Sequence, residues 1–213
     1  MFIIKNRLTN IKSSAILFSL KRTMEVCLMK KISKLGAVLT GILEIFHWVG
    51  AALMTAAAVC SVAAPRWVGC FVGFEAKDCC GTALNVYGFE VVAPVVDGAV
   101  NMCAFLVFAI GAVIILGLMA MVFRDLHLIF RRSGETTPFQ QENIRRLKEI
   151  GILSIAVPLV GLVMSIIARI VIGPEAAETS VNQGGIFMGV IVLCLTRYFI
   201  HGAELEQDVD GLL

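Results

Sequence analysis

The amino-acid sequence predicts an all-α membrane protein, a four-transmembrane-helix bundle with a small extracytoplasmic β-hairpin loop. The first reason is composition: 58% of the 213 residues are hydrophobic and 16% are charged, whereas an ordinary soluble domain is about 45–50% apolar and about 25% charged. The second is that the apolar residues collect in four blocks, each close to the roughly 20 residues that a helix needs to cross a bilayer. The predicted spans are residues 35–64, 99–123, 150–172 and 184–201.

The distribution of basic residues predicts the orientation of these spans. Three lysines lie within residues 30–34, before the first span, and six arginines and lysines lie within residues 124–148, between the second and third spans. The connection at residues 173–183 has none, and the connection between the first two spans has only Arg66 and Lys77. Because basic residues are retained inside the cell, we expect an inner-membrane protein with the N-terminus, C-terminus and middle connection in the cytoplasm.

The chain divides into a basic N-terminal extension, residues 1–29, and an integral membrane domain, residues 30–213. The extension has neither the long apolar stretch nor the small-residue cleavage site of a signal peptide. We interpret it as sequence upstream of a true translation start at Met24 or Met29. An amphipathic helix on the membrane surface is the alternative.

The connection between the first two spans has the pattern of a β-hairpin on the outer face. Residues 66–74 and 83–92 are rich in valine and aromatic residues, and the segment between them, 75–81, is polar and contains cysteines. Outside the cytoplasm a disulfide between the first loop cysteine and either of the next two would clip this hairpin, with free thiols as the alternative. The cysteines concerned are Cys70, Cys79 and Cys80.

Two groups of polar residues are candidates for function. Glu44 lies about 15 Å into the first span if depth is counted from Leu35, and an intramembrane carboxylate marks a functional site or a buried pair. We therefore expect either a proton or cation site, or a structural carboxyl that is neutralised by protonation or paired with Arg197 or His201 of the fourth span. On the structural interpretation we predict that Glu44 approaches Arg197 or hydrogen-bonds a neighbouring helix, with Glu44→Gln tolerated better than Glu44→Leu. The intramembrane candidates are Glu44, His47, Arg197 and His201. The cytoplasmic interaction candidates are Arg131, Arg132, Arg145, Arg146, Glu204 and Asp208.

Motifs for catalysis and for cofactors are not found in the sequence. It has no phosphate loop, nucleophile elbow, HExxH motif or glycine-rich nucleotide fingerprint. Glu44 and His47 have the spacing of half a di-iron site, but such a site needs a second pair on a facing helix. We expect no enzyme activity, no cofactor and no metal, and the net charge of +2 does not indicate direct nucleic-acid binding.

The residues from Gly134 onward resemble a bacterial membrane family catalogued as domain of unknown function 2975. The resemblance rests on Thr137-Pro138-Phe139 with Asn143, Arg146 and Leu147, and on the ending from Tyr198 to Glu206 with Asp208. In the family the ending usually has a glutamine where this chain has Glu206. The resemblance implies a four-helix protein of this size with no established catalytic residues. Genes of the family often lie beside small helix-turn-helix regulators.

Two functions are therefore expected. The first is a non-enzymatic inner-membrane protein whose cytoplasmic face engages a regulator or another protein. The second is a small transporter or ion-coupled permease that uses Glu44. The lipid bilayer is the expected surrounding in both cases, and the sequence leaves the oligomeric state open.

Overall fold

In a computed structural model, the described part of the chain folds into four long helices and two small antiparallel sheets. The structure describes the backbone of residues 2–63, 82–93, 95–96, 99–132, 140–177 and 182–211. Side chains are described for most of these residues, but not for residues 2–27, 29, 82, 93–100 and 210. The elements in chain order are α1 (Phe2–Ala63), β1 (Thr82–Val86), β2 (Phe89–Ala93), β3 (Val95–Val96), β4 (Ala99–Val100), α2 (Met102–Arg132), α3 (Gln141–Val171) and α4 (Gln183–Asp210).

Each of the four helices contains a stretch that is long and apolar enough to cross a membrane. The stretches are Lys30–Ala63, Met102–Arg132, Gln141–Val171 and Gln183–Val209. The predicted all-α architecture with a small hairpin is thus confirmed at the level of helix number, length and hydrophobicity. The helices pack in chain order, with α1 against α2, α2 against α3, and α3 against α4.

Glycines set the register between α1 and α2. A Cβ atom placed on Gly36 would lie 3.1 Å from the ring of Phe130, and one placed on Gly41 would lie 3.0 Å from His127. Such close approach is typical of small residues at helix interfaces in membranes. Phe130 lies beyond Phe123, the last residue of the second apolar block, so Gly36 lies about 10 Å beyond the end of that block. The first predicted block, which starts at Leu35, therefore begins about 10 Å beyond the level at which the second predicted block ends.

The predicted hairpin is present, but its strands differ from the predicted ones. β1 pairs with β2 in an antiparallel register that places Val86 opposite Phe89. Tyr87 and Gly88 between them have φ values of 50° and 86°, as a two-residue turn with left-handed central positions requires. Residues 83–92, which we expected to form one strand, therefore contain almost the whole hairpin. Its expected partner, residues 66–74, lies outside the described residues.

One face of the hairpin packs against the helices, while the turn and the outward residues of β1 are exposed. The predicted location of the hairpin on the outer face of the membrane stays a prediction. Alternate residues of β2 face the helices, and Phe89 and Val91 are 1% and 0% exposed. Phe89 stacks on Phe108 of α2, and a Cβ atom on Gly111 would lie only 2.5 Å from the Phe89 ring. The glycine thus forms a notch that admits the aromatic ring between α2 and α3, where the hydrophobic core lies.

The position of α4 explains why the bundle has room for a hairpin. A Cβ atom on Gly185 would lie 3.3 Å from Pro158, and one on Gly189 would lie 2.8 Å from the carbonyl oxygen of Gly151. From these contacts α4 begins about 16 Å short of the level at which α3 ends at Val171. The hairpin occupies this space, and the Val92 amide donates a hydrogen bond of 2.7 Å to the carbonyl of Ala176 in the connection between α3 and α4.

Candidate functional site

The bundle has two chemically different ends. We call the end at which α2 finishes at Arg132 and α3 begins at Gln141 the basic end, and the end at which α1 finishes at Ala63 and α2 begins at Met102 the hairpin end. The candidate residues fall into three groups: a contact between the buried His47 and Tyr87 at the hairpin tip, a series of ion pairs at the basic end, and two open clefts at the basic end.

His47 is the intramembrane candidate with the most complete set of partners. It is 4% exposed, its Nδ1 donates to the carbonyl of Leu43 at 2.7 Å, and its Nε2 lies within hydrogen-bond distance of the Tyr87 hydroxyl. With Nδ1 as the donor, Nε2 is the acceptor for the hydroxyl proton. The ring of Phe123 lies 4.9 Å from the imidazole ring. His47 therefore holds the tip of the hairpin.

Tyr87 adopts a backbone conformation that non-glycine residues rarely take. Its φ of 50° is uncommon for a bulky side chain and is maintained when surrounding contacts determine it. The hydroxyl contact with His47 is one such contact. The side-chain amide of Asn182, just before α4, adds another by donating to the Tyr87 carbonyl at 3.4 Å. The hairpin tip is thus connected to α1 and to the start of α4.

Contrary to the structural interpretation, Glu44 has no side-chain partner on the fourth helix in the described part of the chain. It is half-buried, and no hydrogen bond or ion pair joins it to another side chain in the described part of the chain. The reason is that α1 packs on α2 whereas α4 packs on α3. Glu44 also lies between Gly41 and Gly50, which face His127 and Leu116 of α2, so it stands near the end of the second apolar block and not deep within it.

Arg197 and His201 lie on the exposed side of α4. Because Leu193 packs on Gly151, Arg197, one turn further on, is level with the charged first turns of α3 and outside its apolar block. His201 lies 3.5 Å from the Glu204 carboxylate, with both side chains exposed. An exposed pair of this kind contributes roughly 0–1 kcal/mol. Among the described side chains, neither residue forms an ion pair or hydrogen bond with another helix.

A chain of ion pairs connects α2 to α3 at the basic end. Arg146 donates to Asp125 at 3.0 Å and to Glu142 at 2.9 Å, and Glu142 also pairs with Arg132. The side chains of Arg146 and Asp125 are 13% and 11% exposed. Arg132 and Arg146 were expected to face a partner, but Arg146 is a structural residue that connects the two helices. Arg145 forms a weaker, exposed pair with Glu149 at 3.5 Å.

The two acids of these ion pairs differ in their surroundings. The Asp125 side chain is 11% exposed, and its described hydrogen-bond donor is Arg146. The Glu142 side chain is 42% exposed and contacts both Arg146 and Arg132. Loss of Arg146 would therefore leave Asp125, but not Glu142, without an arginine partner among the described side chains.

Two buried polar atoms beside these ion pairs have no hydrogen-bond partner among the described residues. They are the side-chain oxygen of Asn143 and Nε of Arg146, which lie three residues apart on one face of α3. One is an acceptor and the other a donor, so a single water or ligand hydroxyl has the chemistry to satisfy both. Asn143 and Arg146 are also two of the residues that carry the family resemblance.

The acidic tail of α4 and the basic start of α3 border one open groove at the basic end. The groove has a volume of about 1230 Å³ and is lined by Arg145 and Lys148 on one side and by Glu204 and Glu206 on the other. No ion pair crosses it among the side chains that the structure describes. The acidic side chains of α4 and the basic side chains of α3 thus face each other across open space.

The loop cysteines proposed for a disulfide, Cys70, Cys79 and Cys80, lie outside the described residues. Cys60, Cys103 and Cys194 are free thiols and are exposed on their helices.

Tyr87, Asp125 and Glu142 were not selected from the sequence. A signal for Asp125 is present, since it follows the buried Gly111, Ile115 and Val122 and the partly buried Leu118 on one face of α2, at alternating steps of four and three residues. An acid at such a position indicates a buried partner. For Tyr87 the only signal is the following glycine, which marks a turn but does not indicate that the Tyr87 hydroxyl contacts His47.

Comparison with the profiles of known protein families, with curated proteins and with solved structures gives no match for this chain.

Proposed function

We propose that the chain is a non-enzymatic, multi-pass protein of the bacterial inner membrane that holds a cytoplasmic regulator through its basic end. In this proposal both termini and the connection after Arg132 are cytoplasmic, because the basic residues concentrate there. The observation that carries the proposal is the exposed, acidic and apolar tail of α4 beside an open groove.

The tail, defined here as residues 204–209, is exposed on all sides. It carries two apolar side chains one turn apart, Leu205 and Val209, which are 54% and 59% exposed. Three acidic residues flank them at Glu204, Glu206 and Asp208. An apolar stripe that continues past the apolar block into water is typical of a helix that docks another helix.

The apolar stripe of the tail continues a longer one along α4. Exposed apolar side chains follow one another at steps of four, three, seven and four residues, so that all lie on one helix face. They are Ile191, Leu195, Tyr198, Leu205 and Val209. Within a membrane lipid covers the first part of the stripe, whereas the tail, beyond the apolar block, needs a protein to cover it.

Charge identifies the kind of partner that fits the tail. A helix with basic residues around an apolar stripe complements the three acids and covers Leu205 and Val209. Basic helices of this kind are the surfaces with which DNA-binding regulators contact phosphates. A small helix-turn-helix regulator, the partner that the family resemblance implies, therefore fits, and docking at the tail would keep its basic surface from DNA.

The alternative, an ion-coupled permease that uses Glu44, has less support. Hairpin side chains fill the space between α2 and α3 at the hairpin end, where Phe89 and Val91 are buried. Neither Glu44 nor His47 lines the groove between α3 and α4 or the smaller cleft between α1 and α2.

Capture from native membranes with the tagged full chain tests the docking function. The tail variant Glu204→Lys/Glu206→Lys/Asp208→Lys should lose a DNA-binding protein that the wild type retains, and double-stranded DNA should release it from the wild type. Glu175→Lys, a charge reversal at an exposed site near the hairpin end, is the matched control and should retain the partner. The same proteins in all three samples, or a partner that DNA does not release, would overturn the docking proposal.

Reporter fusions after Gly134 and Asp210 should report a cytoplasmic location, and a fusion at Gly134 active outside would contradict the orientation.

A further inference from the structure

A second, smaller cleft lies between α1 and α2 at the basic end. It has a volume of about 630 Å³, within the range of about 300–1,000 Å³ that is usual for small-molecule sites. Its lining combines three cations, Lys30, Lys34 and Arg131, with the apolar side chains of Val38 and Phe130. Lys30 and Lys34 are one helical turn apart, so both face the cleft from α1.

Hydrogen bonds between the two helices fix the walls of this cleft. The Ser33 hydroxyl of α1 donates to the carbonyl of Phe130. His127 of α2 donates through Nδ1 to the carbonyl of Ala37 at 2.7 Å. Together with the close approach at Gly36, these bonds hold α1 and α2 at a set distance, so the cleft is formed before any ligand arrives.

The three cations of the cleft differ from the arginines beside them. Arg132, Arg145 and Arg146 each pair with an acidic side chain. No acidic side chain in the part of the structure described lies within ion-pair distance of Lys30, Lys34 or Arg131. The cleft thus presents three positive charges that are available to an anion.

We propose that this cleft binds the headgroup of an anionic phospholipid. Lysine and arginine together suit a phosphate group, since arginine donates in a fork and lysine acts as a point charge. Basic pockets between transmembrane helices on the cytoplasmic side are typical sites for such headgroups. This inference rests on the membrane location in the proposed function, but it is independent of the docking at the α4 tail.

The surface next to the cleft shows why the anion is a lipid and not free phosphate. Exposed apolar residues continue from the cleft along α1 toward the hairpin end, at Val38, Ile42, Ile45 and Val49. Their steps of four, three and four residues keep them on one face, so an acyl chain can lie along them while its phosphate contacts the cations. His127 lies about 6 Å beyond the end of the second apolar block, which is the level of the headgroups.

Native mass spectrometry of the purified full chain in detergent measures this binding directly. Phosphatidylglycerol and phosphatidylcholine with identical acyl chains are titrated separately, and we expect the wild type to retain phosphatidylglycerol preferentially. The cleft variant Lys30→Gln/Lys34→Gln/Arg131→Gln should raise the apparent Kd for phosphatidylglycerol by about tenfold or more. The control Lys31→Gln/Arg145→Gln/Lys148→Gln removes the same charge from the same end and should change it by less than about twofold.

Two further samples keep the result interpretable. Lys30→Arg/Lys34→Arg retains both charges and should bind like the wild type, which shows that the cleft tolerates substitution. Glycerol 3-phosphate carries the phosphate without acyl chains and should not displace the lipid; displacement would make the cleft a site for small phosphates and overturn the proposal. Equal loss of affinity in the cleft and control variants, or equal retention of the two lipids, would also overturn it. Because no regulator is present in these samples, failure of the docking proposal leaves this result unchanged.

Discussion

The hairpin end and the basic end hold the same helices together by opposite means. At the hairpin end, apolar side chains of a β-hairpin fill the space between the helices, and Phe89, Val91 and Ala104 are almost fully buried. At the basic end, an ion-pair chain connects α2 to α3, while clefts of about 1230 and 630 Å³ remain open beside it. The difference is that side-chain packing closes one end, whereas clefts remain open at the other.

This difference arises because α4 begins far from the end of α3. Because α4 begins part-way along α3, only three of the four described helices reach the hairpin end, and α4 extends past the start of α3 at the basic end. Polar backbone groups among transmembrane helices need hydrogen-bond partners. The hairpin supplies them, since its strands pair with each other and Val92 donates to Ala176.

The largest effect in this comparison is expected from Phe89→Ala. The substitution removes a side chain that is 1% exposed and leaves a cavity between α2 and α3, at a cost of about 3–5 kcal/mol. Phe187→Ala, at a side chain that is 67% exposed on α4, is the matched control and should cost little. Thermal unfolding of the two variants in detergent, followed by size-exclusion chromatography, compares them. Equal losses for both would mean that the hairpin does not support the bundle.

The hairpin shows what could and could not be predicted from the sequence. The extended character of residues 83–92 followed from their valine and aromatic content, and a hairpin was expected. The packing of β2 between α2 and α3 was not predicted, because the alternation of Phe89 and Val91 with Glu90 suits a sheet on the surface as well as one that packs against helices. The deciding features are the notch at Gly111 and the late start of α4, and both arise from contacts between distant segments.

An intermediate effect is expected at the basic end from Asp125→Leu. It deprives Arg146 of one charged acceptor in a largely buried position, which costs about 1.5–3 kcal/mol. The double variant Asp125→Leu/Arg146→Met removes both partners and should recover most of the loss, because two well-packed apolar residues can replace a buried pair. A double-mutant cycle from urea or thermal unfolding provides the coupling energy. Additive losses would show that the pair does not connect the helices.

The ion pairs at the basic end were predicted only in part from the sequence. The arginines at the start of α3 were recognised as a group, since their clustering is visible in the sequence. Their division into a buried connector, Arg146, and an exposed neighbour, Arg145, depends on which face of α3 meets α2. Arg146 lies on that face, where it contacts Asp125 of α2. An acid at a buried position of α2 can be interpreted as a paired residue only when the neighbouring helix is known.

The smallest effect is expected at Glu44, which lies between the two ends. The sequence suggested a paired carboxylate, for which Glu44→Gln should be tolerated better than Glu44→Leu. In the structure no side-chain partner is described for Glu44, so neither variant leaves a donor unsatisfied. Glu44→Gln should therefore change the free energy of unfolding by no more than about 0.5 kcal/mol. Glu44→Leu should be neutral or stabilise by about 1 kcal/mol, because it adds apolar contact in a half-buried position facing α2. Glu149→Gln and Glu149→Leu, at an exposed carboxylate paired with Arg145, are the controls for the loss of a charge. If Glu44→Gln costs more than about 1 kcal/mol, the carboxylate has an acceptor role that the helix packing does not reveal, and the permease alternative gains the support that it now lacks.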